Sequence, residues 1–158
     1  MLTGRLRQWC TPGCGRRVTW TTSGWRKSGV GKYLFDTTVP ISYTRRRPEV
    51  IELVEQLLSE DHQVGICAIG IAEFYSNVRP HEAEQAERLI VRLGYFDITA
   101  DMAVAAGVFR YEYARRGNTL TATDTITAAV AIANDATLVT ANVRHFPMPE
   151  IKILPHNP

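Results

Sequence analysis

The chain has 158 residues, 45% of them hydrophobic and 22% charged, enough for one domain with a buried core. Its formal net charge of +2 excludes a polyanion binder that is basic over its whole surface. That small number hides a split: residues 1–32 hold seven basic residues and no acid, whereas 33–158 hold 11 basic and 16 acidic residues, a balance of −5.

The first stretch also holds Trp9, Trp20 and Trp25 and has no helical or strand period, so it is expected to be disordered. One reading is a basic tail that grips RNA through phosphates and stacked bases. The other is a leader from a start assigned too early, with Val30 as the alternative start; the lack of any folding signal favours it. Gly31-Lys32 does not make a phosphate loop, because Arg26 stands where the motif needs Gly and Tyr33 where it needs Ser or Thr. Three cysteines, Cys10, Cys14 and Cys67, are too few for a disulfide framework and suit a reducing compartment, hence a cytoplasmic protein. Cys67 lies in an apolar run and reads as a small buried hydrophobe. No run is long and apolar enough to cross a bilayer, so no membrane role is expected.

Residues 33–158 read as one domain. Tyr33-Leu34-Phe35 is a short strand ending at Asp36, followed by a turn at Thr37-Thr38. Pro48 opens a helix with Ile51, Val54, Leu57 and Leu58 on its inner face. Val64–Ala68 is a second strand, and a helix over 69–77 carries Glu73. A helix from Pro80 places Ala83, Ala86, Leu89, Ile90 and Leu93 inward, and Tyr95–Ile98 is a third strand. Met102, Ala105, Ala106, Phe109 and Tyr113 mark another helix, stopped by Arg115-Arg116-Gly117. Thr121–Ala133 is an Ala-rich helix, Ala136–Thr140 a fourth strand and Ile151–Leu154 a fifth. Strands alternating with helices predict an α/β fold: a three-layer α/β/α sandwich around a central, mostly parallel sheet of four or five strands.

Three acids stand where such a fold builds sites. Asp36 ends the first strand, at the edge where open α/β sheets place ligands. Glu73 interrupts an apolar helix face, and Asp124 lies in the first turn of its helix. Each has a plain structural explanation: a turn former or the N-cap of a short helix, a solvent-facing acid, a partner for the helix dipole. Together they point to a cation site, since an acid among apolar neighbours is costly to bury unless paired or bound to metal. Hard oxygen donors suit Mg²⁺ or Mn²⁺. If the first and fourth strands are neighbours, Asp36 and Thr140 meet at one edge. Arg45, Arg46, Arg47 and Arg144 are candidate phosphate contacts in an otherwise acidic domain. His145 reads as a surface loop residue.

Four segments then resemble, in order, the motifs of PIN-domain proteins, the VapC-type toxin ribonucleases above all. They are Tyr33–Ile41 around Asp36, Ala72-Glu73-Phe74, Thr123–Ala131 opening on Asp124, and Leu138–Phe146 with Thr140 and Asn142. The resemblance implies a metal-dependent endoribonuclease that leaves a 5′-phosphate, with Asp36, Glu73 and Asp124 as its acidic metal site for Mg²⁺ or Mn²⁺. It implies that Thr38, Thr140 and Asn142 position phosphate or water, that a cognate antitoxin covers the site, and that the protein is a homodimer. The sequence departs from the family's pattern at Asn142, where many members have an acid, at Thr38, often Asn or Ser, and at Pro40. An amide adds no negative charge, so one ion rather than two is expected. Asn142 also favours the alternative, a non-catalytic nucleic-acid-binding or regulatory module with a decayed site. A phosphotransfer domain with Asp36 as nucleophile would need a late lysine, for which only Lys152 is available; a pure interaction protein would show no metal affinity.

Overall fold

The first strand, β1 (Lys32–Phe35), begins one residue before the boundary read from the sequence; a computed structural model describes residues 31–157. The basic segment 1–30, with Cys10 and Cys14, lies outside the described residues. β1 is the middle strand of the sheet. It pairs in parallel with β2 (Gln63–Cys67) on one side and β4 (Thr137–Thr140) on the other. β3 (Gly94–Phe96) extends the sheet beyond β2, and β5 (Lys152–Pro155) beyond β4. The order is β3-β2-β1-β4-β5, all parallel.

Successive strand residues face opposite sides, and this divides the core in two. Phe35, Val64, Ile66 and Val139 pack with Val50, Val54 and Leu57 of α2 (Pro48–Ser59) and with Ala86, Leu89 and Ile90 of α4 (Ala83–Ile90). Phe74 of α3 (Ala68–Asn77) joins that layer. Leu34, Cys67, Phe96 and Leu138 pack on the other side with Ala128, Val130 and Ala131 of α6 (Ala122–Ala133), backed by Met102, Phe109 and Tyr113 of α5 (Ala100–Arg115). Cys67 is buried there, and burial pushes its thiol pKa up, as suits a packing residue.

The helices start and stop where elementary chemistry allows. Pro48 occupies the first turn of α2, where its missing N–H has no intrahelical partner to lose. Thr99 and Thr121 cap α5 and α6 by accepting from Met102 N and Asp124 N. Gly117, with φ of +80°, follows the end of α5 in the left-handed conformation expected of a glycine stop. Gly65 of β2 answers a packing need: a Cβ there would lie 2.7 Å from the Gly94 carbonyl oxygen of β3.

Several boundaries differ from the sequence reading, those of β1, β2 and β4 by one residue. The third and fifth strands shift by about one residue, which is usual at element ends. Where a turn was expected after Asp36, the chain forms α1 (Thr38–Thr44). Val39 N donates to the Asp36 carbonyl at 3.0 Å to open it. Pro40 falls in the first turn of α1, where a backbone donor would be unused, so it does not break the helix.

Candidate active site

Asp36 leaves the carboxyl end of β1 and its backbone N–H continues the ladder to the Val139 carbonyl at 3.0 Å. The residue is 8% exposed. Two hydroxyls converge on Oδ2: Thr140 Oγ1 donates at 2.7 Å and Thr38 Oγ1 at 3.1 Å. Among the described residues Oδ1 has no hydrogen-bond donor from the protein and Asp36 has no ion pair. The carboxylate is thus held by neutral donors on one oxygen, which leaves its charge uncompensated and its other oxygen open. An ion or an ordered water would meet that need.

Thr140 is fully buried. Its hydroxyl gives its proton to Asp36 and accepts from Asn142 N at 2.9 Å. The Thr140 hydroxyl thus holds Asp36 and the start of the loop after β4, with one lone pair uncommitted. Thr38 is similarly engaged, accepting from Ala141 N at 3.1 Å while it donates to Asp36. Asn142 caps the short 3₁₀ turn Val143–His145 that carries the chain away from the sheet edge.

Glu73 does not stand free in solvent. Thr37 Oγ1 donates to its Oε2 at 2.8 Å, so neighbouring threonines at the start of α1 hold two different carboxylates. Asp124 is anchored within its own helix turn. Thr121 Oγ1 accepts from Asp124 N at 3.0 Å and donates to Asp124 Oδ2 at 2.6 Å, a reciprocal cap. His145 Nδ1 lies 3.5 Å from the same Oδ2, so the loop histidine read as a surface residue faces a site acid. The sequence reading assigns no site role to Thr37, Thr121 or His156, whose ring lies 3.2 Å from Thr38 Oγ1; Thr121-x-x-Asp124 is a legible capping pattern. Otherwise their signal is spatial, a hydroxyl or imidazole beside each carboxylate.

The structure unites Asp36, Thr38, Thr140 and Asn142 in one hydrogen-bonded group, and keeps Glu73 and Asp124 on separate threonines. Among the described residues no three His, Cys, Asp or Glu side chains gather closely enough to hold an ion. In kind, the donors fit Mg²⁺ or Mn²⁺: carboxylate, hydroxyl and amide oxygens, with Cys67 buried away in the core.

The arginine triplet lies at the far end of α1, about 10 Å along the helix axis from the Asp36 end. Arg45, Arg46 and Arg47 are exposed and form no ion pair among the described residues. With Arg79 and His81 they line an open cleft of about 600 Å³. Arg46 takes a left-handed φ of 59°, closed by Arg46 N to Tyr43 O and Arg47 N to Ser42 O, so the backbone of the triplet is fixed. Arg144 is exposed on the 3₁₀ turn after β4. Lys152 is at the opposite end of the sheet from Asp36, paired in register with Thr137 at the start of β4, and its Nζ is 2.6 Å from Asp135 Oδ1. That placement removes the phosphotransfer reading, which needed a lysine beside Asp36. Among the described residues, no helix is long and apolar enough to cross a membrane.

Comparisons with known proteins agree with this architecture. The family model described as PIN domain matches residues 33–149. Ribonuclease VapC19 of Mycobacterium tuberculosis is 32% identical over 117 residues, 73% of this chain and 92% of that protein. Ribonuclease VapC2 of Rickettsia felis is 26% identical over 119 residues, 72% of this chain and 89% of that protein. Among solved structures, VapBC2 from Rickettsia felis bound to a promoter DNA fragment has a chain that superposes with a TM-score of 0.70 at 23% identity, covering 79% of this chain and 98% of that one. DNA-bound VapBC from Salmonella typhimurium gives 0.67 at 24% identity, with 80% and 98% covered.

Proposed function

The chain belongs to the PIN domain family, and from that premise we propose that it is a metal-dependent endoribonuclease, the toxin of a toxin–antitoxin pair. Relatives named as ribonucleases and fold neighbours solved as VapBC toxin–antitoxin complexes support the class. The observation that carries the reading for this chain is Asp36 itself: a nearly buried carboxylate at the carboxyl edge of the central strand, held on one oxygen by two hydroxyls.

In this reading Asp36, Glu73 and Asp124 hold Mg²⁺ or Mn²⁺. When bound, the ion supplies Lewis-acid polarisation of the phosphodiester and a more acidic water. The protein's own contribution is positional. Thr140 and Thr38 fix the Asp36 carboxylate, Thr37 fixes Glu73, and Thr121 with His145 fixes Asp124. Asp36 or Asp124 accepts the proton of the attacking water. Asn142 and Thr140, beside Asp36, orient phosphate or water by hydrogen bonds. Arg45, Arg46, Arg47 and Arg144 bind backbone phosphates of the RNA, which the acidic domain would otherwise repel. The partners are RNA, a cognate antitoxin and a second copy of the chain.

The test is incubation of the purified full chain with a mixed RNA pool, with and without Mn²⁺, beside Asp36→Asn. The expected outcome is cleavage by the native chain that needs the ion and vanishes in the variant while its circular dichroism is unchanged. Undiminished cutting by Asp36→Asn sinks the reading. RNA binding without any cleavage supports instead the non-catalytic module, which the separate holding of the three carboxylates favours.

A further inference from the structure

Helix α5 is apolar on two sides. Met102, Ala106, Phe109 and Tyr113 pack inward. On the opposite side Val104, Val108 and Tyr111 are 67%, 48% and 63% exposed. The surface helix of a lone domain carries one apolar stripe and polar residues facing water. Here Asp101, Val104, Val108, Tyr111 and Arg115 recur at alternating steps of three and four residues, the spacing of a seam along which two helices pack. All five are exposed.

Gly107 stands beside that seam in the middle of the helix, and it is exposed too. A glycine there weakens a helix relative to alanine. The described residues make no use of the room it leaves: beyond its chain neighbours and its own helix backbone, a Cβ built on it meets no atom within 4 Å. The space serves only a body packed from outside.

Charge selects that body. The seam has an acid at its amino end, Asp101, and a base at its carboxyl end, Arg115. Arg115 Nη1 donates to the Tyr111 hydroxyl at 2.8 Å, and its guanidinium lies 5.5 Å from the centre of that ring, which keeps the positive charge on the seam. A fitting helix needs the same apolar middle and the reverse order of charge, and α5 turned end for end supplies both. Such a pairing sets Val104 against Tyr111 of the other copy, Val108 against the room at Gly107, and Asp101 against Arg115. Either end charge also suits the dipole of α5 itself, but the apolar middle and the glycine have no such internal reason.

We propose that the outward face of α5 is the contact between two copies of this chain, packed antiparallel about a two-fold axis beside Gly107 and Val108. The contact is isologous, each residue meeting its complement twice. The helix is about 24 Å long, so the interface is modest and the association depends on concentration. The inference gives a surface to the second copy named among the proposed partners, and it rests on that part of the proposed function alone.

The test is sedimentation of the full chain from micromolar to submillimolar concentration. The native chain is expected to pass from monomer to dimer. Val108→Asp should weaken the dimer by about 30-fold or more, as for a residue at the centre of an interface. Gly107→Leu should abolish it while the thermal midpoint stays level or rises, because leucine favours the helix. Asp101→Arg and Arg115→Asp should each weaken it by about threefold, and the double variant should restore it. Dimers undiminished in Val108→Asp and Gly107→Leu place the contact on another face and overturn the proposal; a double variant weaker than both single ones overturns the antiparallel pairing. In Val108→Cys, a short bis-maleimide should join two chains. A link to Cys10 or Cys14 of the same chain instead makes the amino-terminal segment the occupant and overturns the proposal. A native chain that stays monomeric overturns it together with the second copy as partner, while Mn²⁺-dependent cleavage by the same sample decides the ribonuclease reading separately.

Discussion

At the amino edge of the sheet Lys152 Nζ sits 2.6 Å from Asp135 Oδ1, and Lys32 Nζ reaches the Asn134 carbonyl at 3.1 Å. At the carboxyl edge Asp36 receives two threonine hydroxyls and no cation from the described residues. Both edges place acids at strand ends, yet they treat them oppositely. The Asp135 carboxyl is held below its usual range, first by the hydrogen bond from Lys152, in full contact with water. Water screens such a pair, so little depends on it. Asp36 is 8% exposed as a residue, and the hydroxyls on it are neutral. Neutral donors orient a charge without cancelling it, which is what a site for a cation requires.

The comparison can be broken by substitution, and the largest effect is expected at Asp36. Asp36→Asn keeps the shape but removes the charge, and cleavage should fall by about 100-fold or more, measured as initial rates in Mn²⁺. Thr140→Val comes next. It leaves Asp36 Oδ2 and Asn142 N short of a buried partner, and should cost about 1–3 kcal/mol in urea unfolding together with a clear loss of rate. Thr121→Ala removes the cap of α6 and frees the Asp124 carboxylate, with an expected cost of about 1 kcal/mol by the same measurement. At the amino edge, Asp135→Asn should leave both the cleavage rate and the thermal midpoint unchanged. A loss of cleavage in that variant would erase the distinction between the edges.

The smallest effect concerns pH. Arg92 donates to both oxygens of Glu55 at 2.7 Å, and Tyr43 donates to Oε1 at 2.9 Å. The Arg92 hydrogen bond is the main cause that holds the Glu55 carboxyl below its ordinary range, while burial pushes the Tyr43 phenol up. A carboxyl lowered on folding contributes stability above the ordinary glutamate value and loses it as pH falls through the lower folded value. Because both side chains are over 40% exposed, screening limits the contribution to a few tenths of a kcal/mol. The urea midpoints of the native chain and Glu55→Gln should therefore differ slightly near neutrality and converge as the pH is lowered toward about 3.

Much of this was legible in the sequence because it follows from periodicity and chain order. The alternation of strands with helices announced the parallel sheet, and Asp36 and Thr140 could be placed together once β1 and β4 were neighbours. The α1 helix was hidden because Thr37-Thr38 and Pro40 carry turn chemistry, and only the first-turn placement of the proline makes them helical. The partners of the carboxylates were hidden for a different reason. Thr37 and His156 are ordinary residues in sequence, and a hydrogen bond across 118 positions, as between His156 and Thr38, leaves no local trace. The burial of Thr140 and its bond to Asp36 were likewise invisible, although chain order had already put the two at one edge.

The middle position of β1 also has a consequence in time. Asp36 and Thr140 are 104 residues apart, and β4 must be in place before the hydroxyl reaches the carboxylate. At about 5–20 residues per second, synthesis of that interval takes about 5–20 s. During that interval the growing chain carries its first acid without the strand that orients it. A chain still being made is therefore unarmed, and a truncated product that stops before β4 should be harmless even with every upstream carboxylate present.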